Sequence, residues 1–136
     1  MSHCAKKVLL VEDHADTAEL IQKQLGHIGY KTVLIADNGP DALHTAHQEK
    51  PDLILMDIAL PGMSGIEVAR RLKADPKTRS IPILAVTVQA MPGDRERCLE
   101  NGCDGYLAKP FVHQQLKVEI EKLLGQLNSQ ATNGSP

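Results

Sequence analysis

The sequence predicts an α/β protein: five βα units wound into an open, doubly wound, parallel five-stranded sheet with helices on both faces. Three observations carry this. Short apolar runs recur along the chain, helical patterns with their own start and stop signals separate them, and the runs are hydrophobic nearly throughout instead of alternating. Continuous hydrophobicity means that both faces of a strand are covered, and short connections joined by right-handed crossovers give the doubly wound arrangement.

The runs are residues 8–11, Thr32–Ala36, 53–56 and 83–86, with a shorter fifth at 106–108. Each is too short for a buried helix, and β-branched residues with sharp polar boundaries favour strands. Between the first two, Asp16 and Glu19 have capping-box spacing ahead of Ile21, Leu25 and Ile28, with Gly29 as the stop. Gly39-Pro40 opens a second helix running toward Gln48. Ser64 and Glu67 form another capping box before Val68 and Leu72, and Asp75-Pro76 ends that helix. Gly93-Asp94 opens a fourth, closed by Asn101-Gly102. Finally Val112, Leu116, Ile120, Leu123 and Leu127 keep helical spacing. The domain therefore spans residues 5–127, and the small polar residues 128–136 read as a flexible C-terminal tail.

Composition narrows the function. A chain of 136 residues suits one domain with a real core, and 42% apolar with 24% charged residues is an ordinary globular balance. A net charge of -2 lacks the positive excess that nucleic acid rewards, so no nucleic-acid partner is expected. Tyr30, Tyr106 and Phe111 are the only aromatic residues, which disfavours flat-ring ligands. The three cysteines, Cys4, Cys98 and Cys103, have no disulfide-framework spacing, and the start MSHCAKK is neither a signal peptide nor a membrane span. A cytoplasmic protein with reduced thiols and no membrane contact is expected.

Ligands of such sheets bind beyond the carboxyl ends of the strands. Glu12 and Asp13 follow the first run, Asp57 the third, Thr87 the fourth and Lys109 the fifth, so these groups should share one rim. Three carboxylates so close cannot all stay ionised comfortably, and Lys109 is a single point charge. A divalent cation with oxygen ligands is the simplest completion, and Mg²⁺ fits that donor set, with Mn²⁺ as a substitute. The arrangement looks like a site for phosphoryl transfer to a carboxylate: Asp57 the nucleophile, Glu12 and Asp13 the metal holders, Thr87 and Lys109 the phosphate donors.

These residues resemble the receiver domain of bacterial two-component response regulators over residues 6–127. The matching pieces are VLLVEDH, DLILMDIALPGMSG, ILAVT and GYLAKP, in order at the ends of four strands. The resemblance implies a flavodoxin-like strand order 2-1-3-4-5. It also implies phosphorylation of Asp57 by a sensor histidine kinase or histidine phosphotransfer protein. Mg²⁺ would be held by Asp13, Asp57 and the backbone carbonyl of Ala59, with Glu12 acting through water. A cis Lys109-Pro110 bond would aim the lysine at the acceptor, and Thr87 with Tyr106 matches the switch pair that remodels the face of the fourth helix, fifth strand and fifth helix. The chain would not be an enzyme toward a separate substrate; its chemistry would be its own phosphotransfer and autodephosphorylation. Val88 stands where members usually carry a small residue and would narrow access, and Ala59 and Gln89 flank the site, where residues tune attack by water.

Other residues read more plainly. His44 and His47 have no third ligand nearby in sequence and read as exposed surface. His14 sits beside the acidic pair, where an incoming partner could touch it. Cys98 and Cys103 read as small core or surface residues instead of a redox pair. Arg70, Arg71 and Lys73 read as a solvated helix face, as do Arg95 and Arg97, the latter two on the output side.

Competing functions fit less well. A flavodoxin-like electron carrier needs a glycine- and hydroxyl-bearing first loop, which here is acidic. A haloacid-dehalogenase-type phosphatase has its nucleophilic Asp on the first strand with a second Asp two residues on, whereas Asp57 lies on the third and is followed by Ala59. A phosphorylation-independent module of receiver fold would normally have lost one of the acidic pair, Asp57 or Lys109, and all are present. No effector domain follows Leu127, so output is expected through non-covalent contact, as a diffusible regulator or a phosphorelay shuttle. Arg95, Glu96, Gln115 and Glu119 give that surface mixed charge and name no downstream target.

Overall fold

Each short apolar run becomes a strand and each intervening pattern a helix. The computed structural model describes residues 6–88 and 92–132, with side chains through Gly125. Cys4 and Gln89 lie outside the described residues. The order is β1 (Lys7–Val11), α1 (Ala15–Ile28), β2 (Thr32–Ala36), α2 (Gly39–Glu49), β3 (Leu53–Asp57), α3 (Gly65–Ala74), β4 (Ile83–Thr87), α4 (Asp94–Glu100), β5 (Gly105–Ala108) and α5 (His113–Thr132). The strands form one sheet in the order β2-β1-β3-β4-β5, with every pairing parallel.

Alternation of side chains along the strands divides the core in two. Leu9, Val11, Ile54, Met56, Ile83 and Ala85 face α2, α3 and α4, where Ala42, Val68, Leu72 and Cys98 meet them. Val8, Leu10, Leu53, Leu55, Leu84 and Val86 face α1 and α5 through Ile21, Leu25, Leu116 and Ile120. Both sides of β1, β3 and β4 are thus sealed, as the apolar runs predict. The edge strand β2 is the exception, with Ile35 47% exposed. An edge strand has no outer neighbour, and no helix covers it fully.

The helix ends follow local chemistry, with three corrections. Ser64 caps α3 by accepting from the Glu67 amide at 3.2 Å, but the Glu67 carboxylate turns outward to Arg70 and Arg71. The residue before α1 is His14, whose carbonyl accepts from the Ala18 amide at 2.9 Å, so Asp16 sits inside the first turn and caps nothing. Acidic charge there still suits the positive end of the helix. Helix α5 continues past Leu127 to Thr132, because no glycine or proline interrupts 126–132. The stretch 128–132 thus continues α5; 133–136 lie outside the described residues.

Lys73 also departs from a solvated helix face. Its ammonium donates to the carbonyls of Arg79 and Ile81 and to Asp104 Oδ2, which in turn accepts from the Ile83 amide at 2.8 Å. Lys73 thereby fastens the end of α3 to the start of β4. Among the described residues no helix is long and apolar enough to cross a membrane.

Gly65 fixes how α3 meets the end of β3. A Cβ on it would fall against the Asp57 carbonyl oxygen and within 2.8 Å of Ile58 Cα, and its amide donates to the Ile58 carbonyl at 2.9 Å. Backbone cannot give way as a flexible side chain can. Gly65→Ala should lose about 1–3 kcal/mol of stability in urea unfolding; a loss indistinguishable from zero would show that α3 shifts freely.

Candidate functional site

Parallel strands end together, and β1, β3, β4 and β5 deliver their last residues to one rim. Thr87 closes β4 opposite Ala108, and the Lys109 amide donates to the Thr87 carbonyl at 2.7 Å. Asp57 closes β3, and the next amide, Ile58, donates to the Val86 carbonyl at 3.2 Å. The main chain therefore holds three of the predicted residues in fixed mutual positions before their side chains interact.

Lys109 stands at the rim directly before Pro110, and the bond joining the two is cis. Its Nζ lies 2.6 Å from Glu12 Oε1 and 3.9 Å from Asp57 Oδ2. Glu12 Oε2 accepts from both the His14 amide and His14 Nδ1 at 3.1 Å. Asp57 Oδ1 accepts from the Ala59 amide at 3.1 Å, a turn that also carries the Ala59 carbonyl past the end of β3. Glu12, Asp57 and Thr87 are buried, with 1%, 4% and 4% of their surface exposed.

Electrostatics separates the two buried acids. Burial alone would raise the Glu12 carboxyl, but the hydrogen bond from Lys109, aided by the His14 amide, outweighs it and holds Glu12 below its usual range. Burial pushes the Asp57 carboxyl up; Lys109 opposes the rise from a longer distance, and the Glu12 charge adds to it. The single lysine is committed mainly to Glu12. His14 is pushed up by its hydrogen bond to Glu12 and by the charge of Asp13.

The donor set suits a divalent cation. One ligand atom from each of Glu12, Asp13, His14 and Asp57 lies within 4.8 Å of all the others. Asp13 Oδ1 is buried without a hydrogen-bond partner among the described residues, 3.4 Å from His14 Nδ1. A buried carboxylate oxygen left without a donor is what an ion at this rim would satisfy.

The remaining predicted residues fall as follows. Tyr106 pairs with Ala85 across the ladder and packs, half-buried, on the α2–α4 side, the face that Thr87 shares by strand alternation. Its hydroxyl is shielded, with no hydrogen-bond partner among the described residues. Val88 is 65% exposed and, with Thr17, Leu20, Gln24, Lys109 and Phe111, lines a groove beside the rim. His47 lies 4.0 Å from Asp75 on the far side of α2, and Cys98 and Cys103 are buried free thiols. Gly65 was not singled out in the sequence, although GMSG directly before a helical pattern marks it.

A raised Asp57 carboxyl opposes stability. Between its unfolded and folded pKa values the folded state holds the extra proton, so stability falls as pH rises through that window, and the ionised group remains a cost at neutral pH. Asp57→Asn should therefore raise Tm at neutral pH in the presence of a chelator, and the gain should vanish below the unfolded carboxylate pKa of about 3.9. An equal gain at both pH values would point to packing as the cause.

Comparison with known proteins agrees with this geometry. The sequence profile of the response regulator receiver domain matches residues 8–121. The polar-differentiation response regulator DivK of Brucella anthropi is 42% identical over 120 residues, covering 88% of this chain and 97% of the relative. The receiver domain of a sensor histidine kinase from Pseudomonas aeruginosa, solved with a magnesium ion coordinated in its active site cleft, superposes with a TM-score of 0.81 at 37% identity, covering 88% of this chain and 98% of that one. Chemotaxis protein CheY4 of Vibrio cholerae gives 0.80 at 28% identity, with 87% and 98% covered. With its strand order, its rim of acids and lysine, and a profile match over most of its length, the chain belongs to the response regulator receiver domain family.

Proposed function

We propose that this receiver takes a phosphoryl group onto Asp57 from the phosphohistidine of a sensor histidine kinase or a histidine phosphotransfer protein, and in response changes its affinity for a protein partner. The observation that carries the reading is the division between the two buried acids: Lys109 is held by Glu12, which leaves the Asp57 carboxylate near a cation but not neutralised by it. An Asp57 oxygen attacks phosphorus, the O–P bond forms, the N–P bond to the donor imidazole breaks, and the imidazole leaves with that electron pair. Lys109 and the Thr87 hydroxyl would donate to the phosphoryl oxygens, where preorganised donors are most effective. Mg²⁺, with Mn²⁺ as a substitute, would be held by Asp13, Asp57 and the Ala59 carbonyl, with Glu12 through water, and would neutralise charge on the transferring oxygens.

The donor must reach a rim bordered by the groove of Thr17, Leu20, Val88 and Phe111, and an exposed Leu20 and Val88 offer apolar contact to a helix bearing the histidine. Output is assigned to α4, β5 and α5. Leu99 and Val118 are exposed apolar residues there, and Tyr106 connects that face to Thr87. A cytoplasmic setting, where kinase and nucleotide are found, fits the free thiols of Cys98 and Cys103.

Acetyl phosphate with Mg²⁺ should add one phosphoryl group to the wild type and none to Asp57→Asn, read by intact-protein mass spectrometry; equal labelling would overturn the assignment. Lys109→Ala should retain metal binding yet abolish the effect of phosphorylation on partner affinity, measured by pull-down with and without beryllofluoride.

A further inference from the structure

His14 is the residue of the rim that the phosphotransfer reading leaves without work. It is the residue before α1, and its own backbone carbonyl begins the helix, so the imidazole is held at the sheet edge next to the acids. Nδ1 faces inward, 3.1 Å from Glu12 Oε2 and 3.4 Å from Asp13 Oδ1, while the side chain as a whole is 71% exposed. The ligand atoms of Glu12, Asp13, His14 and Asp57 all lie within 4.8 Å of one another. In an octahedral shell with bonds of about 2.1 Å, adjacent ligands stand about 3 Å apart and opposite ones about 4.2 Å, so an ion needs these atoms drawn together by only a few tenths of an ångström. Asp13 Oδ1 beside Nδ1 has no hydrogen-bond partner among the described residues.

We propose that His14 Nδ1 is a direct ligand of the metal at this rim, and that it gives the site a preference for a first-row transition dication over Mg²⁺. The inference rests on the proposed metal-assisted acceptor site and deepens it. Carboxylates, carbonyls and water serve Mg²⁺ well, whereas an imidazole nitrogen is a poor partner for that ion and a good one for the transition series. The ion takes the place of the proton between Nδ1 and the carboxylates; Nε2 keeps its hydrogen on the solvent side, the neutral tautomer that metal ligation needs. Exposure of the ring leaves it free to make the small rotation that brings Nδ1 to the ion without disturbing the core.

The test uses the full chain with Mn²⁺ and Mg²⁺ as probes. Pulsed electron paramagnetic resonance of the Mn²⁺ complex should show coupling to a directly bonded imidazole nitrogen, and His14→Asn should remove it. Calorimetric titration should show Mn²⁺ affinity falling about tenfold in His14→Asn while Mg²⁺ affinity stays within about twofold. Asp13→Asn should weaken both ions, marking the same site. Mn²⁺ bound without nitrogen coupling, or equal losses for the two ions in His14→Asn, overturns the role of His14 and leaves the acceptor site standing. Failure of both ions to bind the wild type overturns the acceptor site and the inference together.

Discussion

Lys109 Nζ lies 2.6 Å from one buried acid and 3.9 Å from another, and the inequality of those distances governs the rim. A carboxylate as enclosed as Glu12 needs a partner in place, since an unpaired buried charge costs several kcal/mol. Lys109 meets that need, and in doing so fixes its own position. Asp57 then sees a cation at a distance too long to quench the carboxylate. Bring the lysine nearer to Asp57 and that carboxylate is neutralised; remove Glu12 and the shortest contact fixing the lysine is lost.

That balance is possible only because the sheet is parallel. Antiparallel neighbours would send alternate strands to opposite edges, whereas here β1, β3, β4 and β5 end together and place Glu12, Asp57, Thr87 and Lys109 side by side. The apolar runs that seal both faces also exclude water from the floor of the rim, which is why burial dominates the Asp57 carboxyl. Core packing and acid chemistry are thus one construction: Leu55 and Met56 lie in the buried strand that ends in Asp57.

The strands and the rim were readable in the sequence because each rests on a local pattern. Residues 53–56 are apolar on both faces and the next is Asp57; no distant partner is needed to see it. What escaped was set by contacts far apart in the chain. Lys73 looks like its exposed neighbours Arg70 and Arg71, and only the fold brings Asp104 beneath it. Asp16 and Glu19 have capping-box spacing, yet the geometry of the acidic loop starts α1 at Ala15, with His14 as the residue before it. The end of α5 was misread for a different reason: polarity was taken as a stop where no residue breaks a helix. Gly65 is defined by a close approach to Asp57 that spacing alone does not reveal.

Among the helices, α4 is the least firmly built, and its weakness is written in its construction. It has seven residues, begins at Gly93 without a side-chain cap, and buries only Cys98. A helix that short draws little stability from its own hydrogen bonds and depends on packing. Its neighbour in that packing is the half-buried Tyr106, whose shielded hydroxyl has no hydrogen-bond partner among the described residues. An unmade bond on a buried hydroxyl lowers the cost of moving the ring, and a marginal helix lowers the cost of accommodating it. The opposite side of the sheet offers no such freedom, since α1 and α5 each bury three large or small apolar residues against it. On the face that Thr87 and Tyr106 share, α4 is thus the element least held by packing.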